Sequence, residues 1–212
     1  MQMDDWNIDG AQWQSPQKSI TDTDESVSKR SSDRRQTECH EISNSYLYRR
    51  AFGETQLFDV LGTEGLKEGI SYHILTGGNV DSLSFLRYIL RFHSLDYLLF
   101  STWCMAAEDI LQFREWMDDS RIKKMDAYVG EIFPNTYRVE WQMLNRLFDE
   151  KKCGRIICFR NHSKIYAGWG GNFYFSVESS ANINTNPRQE NTVITVDKGL
   201  ALFYKDCFDK IR

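Results

Sequence analysis

No stretch of about 18 consecutive apolar residues occurs in the 212-residue chain, so nothing in it reads as a membrane-spanning helix. A basic excess is also missing: 26 Lys and Arg stand against 30 Asp and Glu, a net charge of -4. A bulk positive field for nucleic acid is therefore excluded, and any such contact has to use a local basic site. The opening residues, Met1 to Trp6, are acidic and lack the apolar core of a secretory signal, so the expected setting is cytoplasmic. The five cysteines are odd in number and scattered, which favours reduced thiols over a disulfide framework. Neither CxxC nor HxxxH spacing occurs, so Cys39-His40 has no companions for a zinc site.

What is present is an apolar content of 41%, of ordinary globular proportion, unevenly spread. Residues 1–45 are rich in Ser, Asp, Gln, Thr, Lys and Arg and poor in branched aliphatics. Such a segment cannot bury enough surface to offset its chain entropy, and we read it as a disordered arm. Its cluster Lys29-Arg30-Ser-Ser-Asp-Arg34-Arg35 is a candidate partner contact, although interleaved acids also suit a solvated tail. Residues 46–69 read as a lead-in segment, and residues 70–212 as the folded domain.

Within that domain apolar runs and helical stripes alternate. Strands are expected at Ser71–Thr76, Tyr97–Ser101, Met125–Phe133, Arg155–Arg160, Asn172–Val177 and Thr192–Val196. Helices are expected after Asp81, a plausible N-cap, at Met105–Asp118, at Arg138–Lys151 closed by Gly154, and at Leu200–Ile211. The implied fold class is α/β, with a mixed, mostly parallel sheet and helices on both faces. Trp116, Trp141 and Phe148 recur at helical spacing and belong to the core, and His73 and His93 read as structural.

One segment carries chemistry: Arg160-Asn-His162-Ser-Lys164-Ile-Tyr-Ala-Gly168. Two residues apart on a strand, His162 and Lys164 share a face. A nucleophile or acid–base group then stands beside a fixed positive charge. Ser179-Ser180-Ala181-Asn182 and Arg188-Gln-Glu190-Asn191 follow. The set suits phosphodiester chemistry, with one group to attack, one to hold phosphate oxygens and one to orient an imidazole.

His162-x-Lys164, then Ser180-x-Asn182, then Glu190-Asn191 before an apolar strand, resembles the phospholipase D superfamily. That family's pattern runs HxK, an Asp, GSxN and a later Glu. The resemblance covers roughly residues 70–212 and is nearest to the small single-motif bacterial endonucleases. It implies His162 as the nucleophile of a phosphohistidine intermediate, Lys164 and Asn182 as phosphate-binding groups, and Glu190 as the carboxylate that orients the histidine. Ser180 matches the motif serine. Ser101 and Thr102 end a strand similar to the family's second, near the site, and Arg188 is a further phosphate-contact candidate.

The family reaction uses two histidines and needs neither metal nor cofactor. His40, His73 and His93 are followed two residues later by Ile42, Leu75 and Leu95, so no second HxK exists. The resemblance therefore implies a homodimer with one composite site. Two departures stand out: Trp169 occupies the position of the motif Asp, and the spacing from Lys164 to Asn182 is three residues longer than the family's, with Ser179 in place of the motif glycine. In a glycine-flanked turn, that tryptophan is a candidate for stacking on a base. The expected activity is a metal-independent nuclease. The alternatives are a catalytically impaired relative that binds phosphate or nucleic acid, with the N-terminal arm recruiting a partner protein, and a phospholipid phosphodiesterase.

Overall fold

Six of the apolar runs become strands, and a seventh strand forms where glycines had suggested a turn. The computed structural model describes residues 45–183 and 188–212, with side chains from residue 53 onward. The arm read at residues 1–45, with Cys39-His40 and the Lys29–Arg35 cluster, lies outside the described residues but for its last position. The compact unit spans Ser43–Arg212.

The strands are β1 (Ser71–Thr76), β2 (Tyr97–Thr102), β3 (Met125–Gly130), β4 (Ile156–Phe159), β5 (Ile165–Gly170), β6 (Phe173–Ser179) and β7 (Glu190–Thr195). The helices are α1 (Ser45–Leu61), α2 (Ser82–Phe92), α3 (Ala107–Asp118), α4 (Phe133–Thr136), α5 (Arg138–Lys151) and α6 (Lys198–Asp209). One sheet runs in the order β1-β7-β6-β5-β2-β3-β4. Only β2–β3 and β3–β4 pair in parallel; the other four pairings are antiparallel. This corrects the mostly parallel sheet expected from the sequence. Parallel pairing needs a crossover, and α3 and α4–α5 supply one on either side of β3. Among the described residues no helix lies between β4 and α6, and β5, β6 and β7 turn back on one another.

The strand missed by sequence reading, β5, contains Gly168 and Gly170. Both glycines serve close backbone approach rather than a turn. A Cβ at Gly168 would lie 2.7 Å from the Tyr97 carbonyl, and one at Gly170 would lie 1.8 Å from that of Ser94. The turn itself is Gly171-Asn172, a two-residue hairpin loop whose first residue takes φ 58°. Trp169 thus belongs to a strand, not to an exposed turn.

Helices cover both faces. On one face Leu57, Leu86, Ile89, Phe113, Trp116, Leu144, Leu147 and Phe148 pack on Leu98, Phe100, Ala127, Val129, Phe175 and Ile194. On the other, α6 sets Phe208 against Tyr97, Leu99, Tyr128 and Ala167. Arg155 fastens that helix by donating to the Tyr128 hydroxyl, the Phe208 carbonyl and Asp209. Strands β2 and β3 are buried along their whole length, as a strand covered on both faces should be. His93 stacks on Phe173 at 3.7 Å, and His73 is exposed on the edge strand β1.

Smaller differences have local causes. Strand β3 stops at Gly130 because Pro134 falls in the first turn of α4 rather than ending a strand. The left-handed cap of α5 is Lys152 at φ 49°, and Gly154 instead gives room for the Met125 carbonyl. On α3, Trp116 is buried in the core while Leu111 is 53% exposed. Asp81 does cap α2, accepting from Ser84 N at 2.8 Å and Ser84 Oγ at 2.8 Å while 1% exposed. Asp81→Ala is expected to cost about 1–2 kcal/mol, read as a lower denaturation midpoint with an unchanged slope.

Strand directions fix where a site can form. Strands β2, β3 and β4 all end at one edge of the sheet, and β5 and β7 start there. The connections β1–α2, β2–α3, β3–α4, β4–β5 and β6–β7 therefore share that edge. The β5–β6 hairpin lies at the opposite edge. Open α/β sheets bind ligands beyond the carboxyl ends of their parallel strands, which here is the first edge.

Candidate functional site

His162 and Lys164 sit in the β4–β5 connection, ahead of β5 rather than on it. Their side chains nonetheless converge. Lys164 Nζ lies 3.1 Å from His162 Nδ1 and donates to the His162 carbonyl at 2.7 Å. His162 is exposed and Lys164 half-buried. Burial holds the Lys164 ammonium below the ordinary lysine range, while the charges of Cys104 and Glu190 draw it back upward. The buried Cys104 thiol is itself pushed up by burial.

A residue with no signal in the sequence builds this loop. Asn161 is 6% exposed, and all its side-chain polar atoms are used. Its Nδ2 donates to Ser101 Oγ at 2.9 Å and to the Tyr128 carbonyl at 3.1 Å. Its Oδ1 accepts from Ser163 N at 3.0 Å and from Ser163 Oγ at 2.7 Å. Ser101 Oγ and Ser163 Oγ are 2.6 Å apart. The two residues on either side of His162 are thus pinned to the ends of β2 and β3. Ser101 and Thr102, expected near the site, are 2% and 0% exposed. Ser101 holds the His162 loop, and Thr102 donates to the Cys104 carbonyl at 2.8 Å.

The β6–β7 connection supplies the second wall. Ser180 Oγ donates to Glu190 Oε2 and accepts from Asn191 N at 3.0 Å. Ser180 N donates to the Asn191 carbonyl at 2.9 Å, so Ser180 is locked across the mouth of the connection. Glu190 is 9% exposed, and its charge acts on Lys164. Asn182 Oδ1 is buried with no hydrogen-bond partner among the described residues. Buried amide oxygens are rarely left in that state. Arg188 is exposed in the same connection.

Trp169 does not join this group. It pairs with Tyr97, at the start of β2, and its ring stacks on Tyr97 at 4.6 Å and Tyr174 at 5.9 Å. Ser101, at the far end of β2, pairs with Ile165, so Trp169 stands at the opposite edge of the sheet. The aromatic beside the histidine is Trp103, whose ring centroid lies 5.6 Å from that of His162. Among the described residues no group of three or more His, Cys, Asp and Glu is placed to hold a metal ion. No helix among them is long and apolar enough to cross a membrane.

Chemically, the site offers an accessible imidazole, a partly dehydrated cation within reach of anything bound to that imidazole, and a carboxylate whose charge is felt by that cation. A tetrahedral anion is the ligand that such a set accommodates.

Compared with protein-family models and with curated proteins, the sequence matches none. Solved structures do resemble the fold. Polyphosphate kinase from Porphyromonas gingivalis aligns over 69% of this chain and 29% of its own, with 12% identity and a TM-score of 0.49. TrmBL2, an archaeal chromatin protein, aligns over 78% and 61%, with 11% identity and a TM-score of 0.47. Phosphatidylserine synthase from Haemophilus influenzae Rd KW20 aligns over 64% and 37%, with 13% identity and a TM-score of 0.46. The chain spans less than two thirds of the length of each.

Proposed function

We propose that the chain is a phosphodiesterase that cleaves nucleic acid through a phosphohistidine on His162. The observation that carries this reading is the Lys164 ammonium, half-buried and 3.1 Å from the exposed His162 ring. One ring nitrogen attacks phosphorus, the bond from phosphorus to the leaving oxygen breaks, and that oxygen takes a proton from a general acid. Lys164 and Asn182 stabilise the charge that develops on the phosphoryl oxygens. Water then breaks the phosphorus–nitrogen bond and frees the enzyme. Glu190 draws the Lys164 ammonium back upward against the larger effect of burial and, through Ser180, holds the shape of the β6–β7 connection.

The general acid has to be a second histidine, and the chain has one HxK. The reading therefore includes a homodimer in which two copies of His162 face one phosphate. No metal has a role in these steps. The test incubates the protein with labelled DNA, RNA and phospholipid in EDTA, then quenches early turnovers. The expected result is nucleic-acid cleavage with label bound to protein through an acid-labile, base-stable bond. Cleavage of phospholipid alone, or no bound label, would overturn the reading.

A second reading is favoured by Trp169, which stands where the related motif has its Asp. On that reading the chain binds phosphate or nucleic acid without cleaving it, and the N-terminal arm recruits a partner. Binding of the same substrates with no product over many hours selects it.

The pH dependence follows from Lys164. Its depressed pKa means that the ammonium is lost as pH rises through a value below the ordinary 10.5. Cleavage is expected to fall on an alkaline limb below the usual lysine range, and Lys164→Arg to move that limb to higher pH. A limb unmoved in Lys164→Arg assigns it to another group. The stability sign is opposite. Between the folded and unfolded pKa values the unfolded chain binds more protons, so this group makes stability rise with pH there.

A further inference from the structure

Among the described residues Trp103 is the one large aromatic ring against His162, and its placement is built rather than incidental. It leaves β2 into the β2–α3 connection, at the edge shared with the His162 loop. Its ring centroid lies 5.6 Å from the imidazole centroid, with the planes inclined by 55°. The indole crosses the end of β3 at Gly130, where a Cβ would lie 2.6 Å from Trp103 Cδ1 and 3.2 Å from the Asn161 carbonyl. A side chain at that point would force the indole to shift from where it stands. Trp103 is half-buried, so part of its surface remains open beside the reacting group.

We propose that Trp103 is the platform on which a nucleobase next to the scissile phosphate stacks, which makes the substrate a single-stranded nucleic acid. This rests on the phosphodiesterase reading above and supplies its substrate class. A base next to a phosphate that sits on His162 lies within a few ångströms of that phosphate, which is where the indole stands. Stacking is tolerant of sequence, because every base has a π face. It also suits a chain with no bulk positive field, since affinity then comes from rings rather than from many phosphate contacts. The reading moves the base-stacking role from Trp169, whose ring is taken up by Tyr97 and Tyr174 at the opposite edge, to Trp103.

The experiment compares oligo-dT with an oligomer of the same length in which every nucleotide is an abasic tetrahydrofuran. Wild type, Trp103→Ala and Trp103→Phe are assayed for cleavage, and for binding by fluorescence anisotropy. The expected result is that Trp103→Ala lowers kcat/KM on oligo-dT, and its affinity, by roughly ten- to a hundred-fold. The abasic oligomer, already poor for wild type, should be affected less than about twofold. Trp103→Phe should recover most of the loss. Equal losses on both oligomers would mean that Trp103 only holds His162 in place, and would overturn the platform while the phosphodiesterase reading stands. Equal wild-type activity on both oligomers, or a preference for phospholipid vesicles, would overturn it too. If nothing is cleaved, the reaction is wrong, and the platform is still judged on whether Trp103→Ala loses oligo-dT binding selectively.

Discussion

His162→Ala is expected to lower nucleic-acid cleavage by on the order of a thousand-fold or more while moving the melting temperature by no more than about 2 °C. The rate effect is large because in a symmetric dimer one substitution removes both the attacking nitrogen and the acid that protonates the leaving oxygen. The stability effect is small because the imidazole is exposed and its partners among the described residues are Lys164 and the tilted ring of Trp103. Alanine also relieves nothing that Asn161 holds, since those bonds run to Ser163, Ser101 and the Tyr128 carbonyl. Initial rates and thermal melts on the same preparation check both halves. Full activity in the variant would remove His162 as nucleophile. A collapse of activity and melting temperature together would make it a structural residue. Mixing wild-type and variant subunits adds a check on the dimer: with random pairing and equal amounts, only about a quarter of dimers keep both histidines.

Asn161→Leu is expected to be the most damaging single change for the fold around the site, at about 3–5 kcal/mol. Leucine fills a similar volume, so packing is not the main loss. What remains is a set of stranded polar groups: the Tyr128 carbonyl, Ser163 N and half of the Ser101–Ser163 hydroxyl pair. Each costs desolvation without return when buried. For a unit of this size the loss is on the order of 10 °C in melting temperature. Below that temperature the folded variant should still cleave slowly, with kcat lowered more than KM, because the His162 loop is no longer pinned on both sides. Asn161→Asp keeps the acceptor for Ser163 and loses the donor, and should fall between the two. A variant that melts early yet keeps the wild-type kcat would show that the loop finds its shape without Asn161.

How much of this was legible in the sequence differs by element. The amphipathic stripes of α2, α3, α5 and α6 and the apolar runs of β1, β2, β3 and β7 follow from period and composition, which act over a few residues. The cap Asp81 was legible for the same reason. Strand β5 was not, because Gly168 and Gly170 carry opposite meanings in a turn and in a strand pressed against another backbone. That choice depends on Tyr97 and Ser94, more than seventy residues earlier in the chain. Sheet polarity was lost with it: without β5, the hairpins after β4 look like one more crossover. At the site, His162 and Lys164 were legible as a pair, because two residues apart is a local relation.

The amino-acid sequence by itself determined which residues carry the chemistry of an imidazole, an ammonium, an amide and a carboxylate, since residue type and short spacing need no fold. Only the tertiary structure decided which of them meet. It brought the charge of Glu190 to bear on Lys164 across the β4–β5 and β6–β7 connections and turned Ser101 and Thr102 inward. It also sent Trp169 to the far edge and brought Trp103 to the histidine. The reason is physical: strand direction, a property of the whole sheet, sorts loops to one edge or the other, and burial then takes some polar groups for support and leaves others free to react.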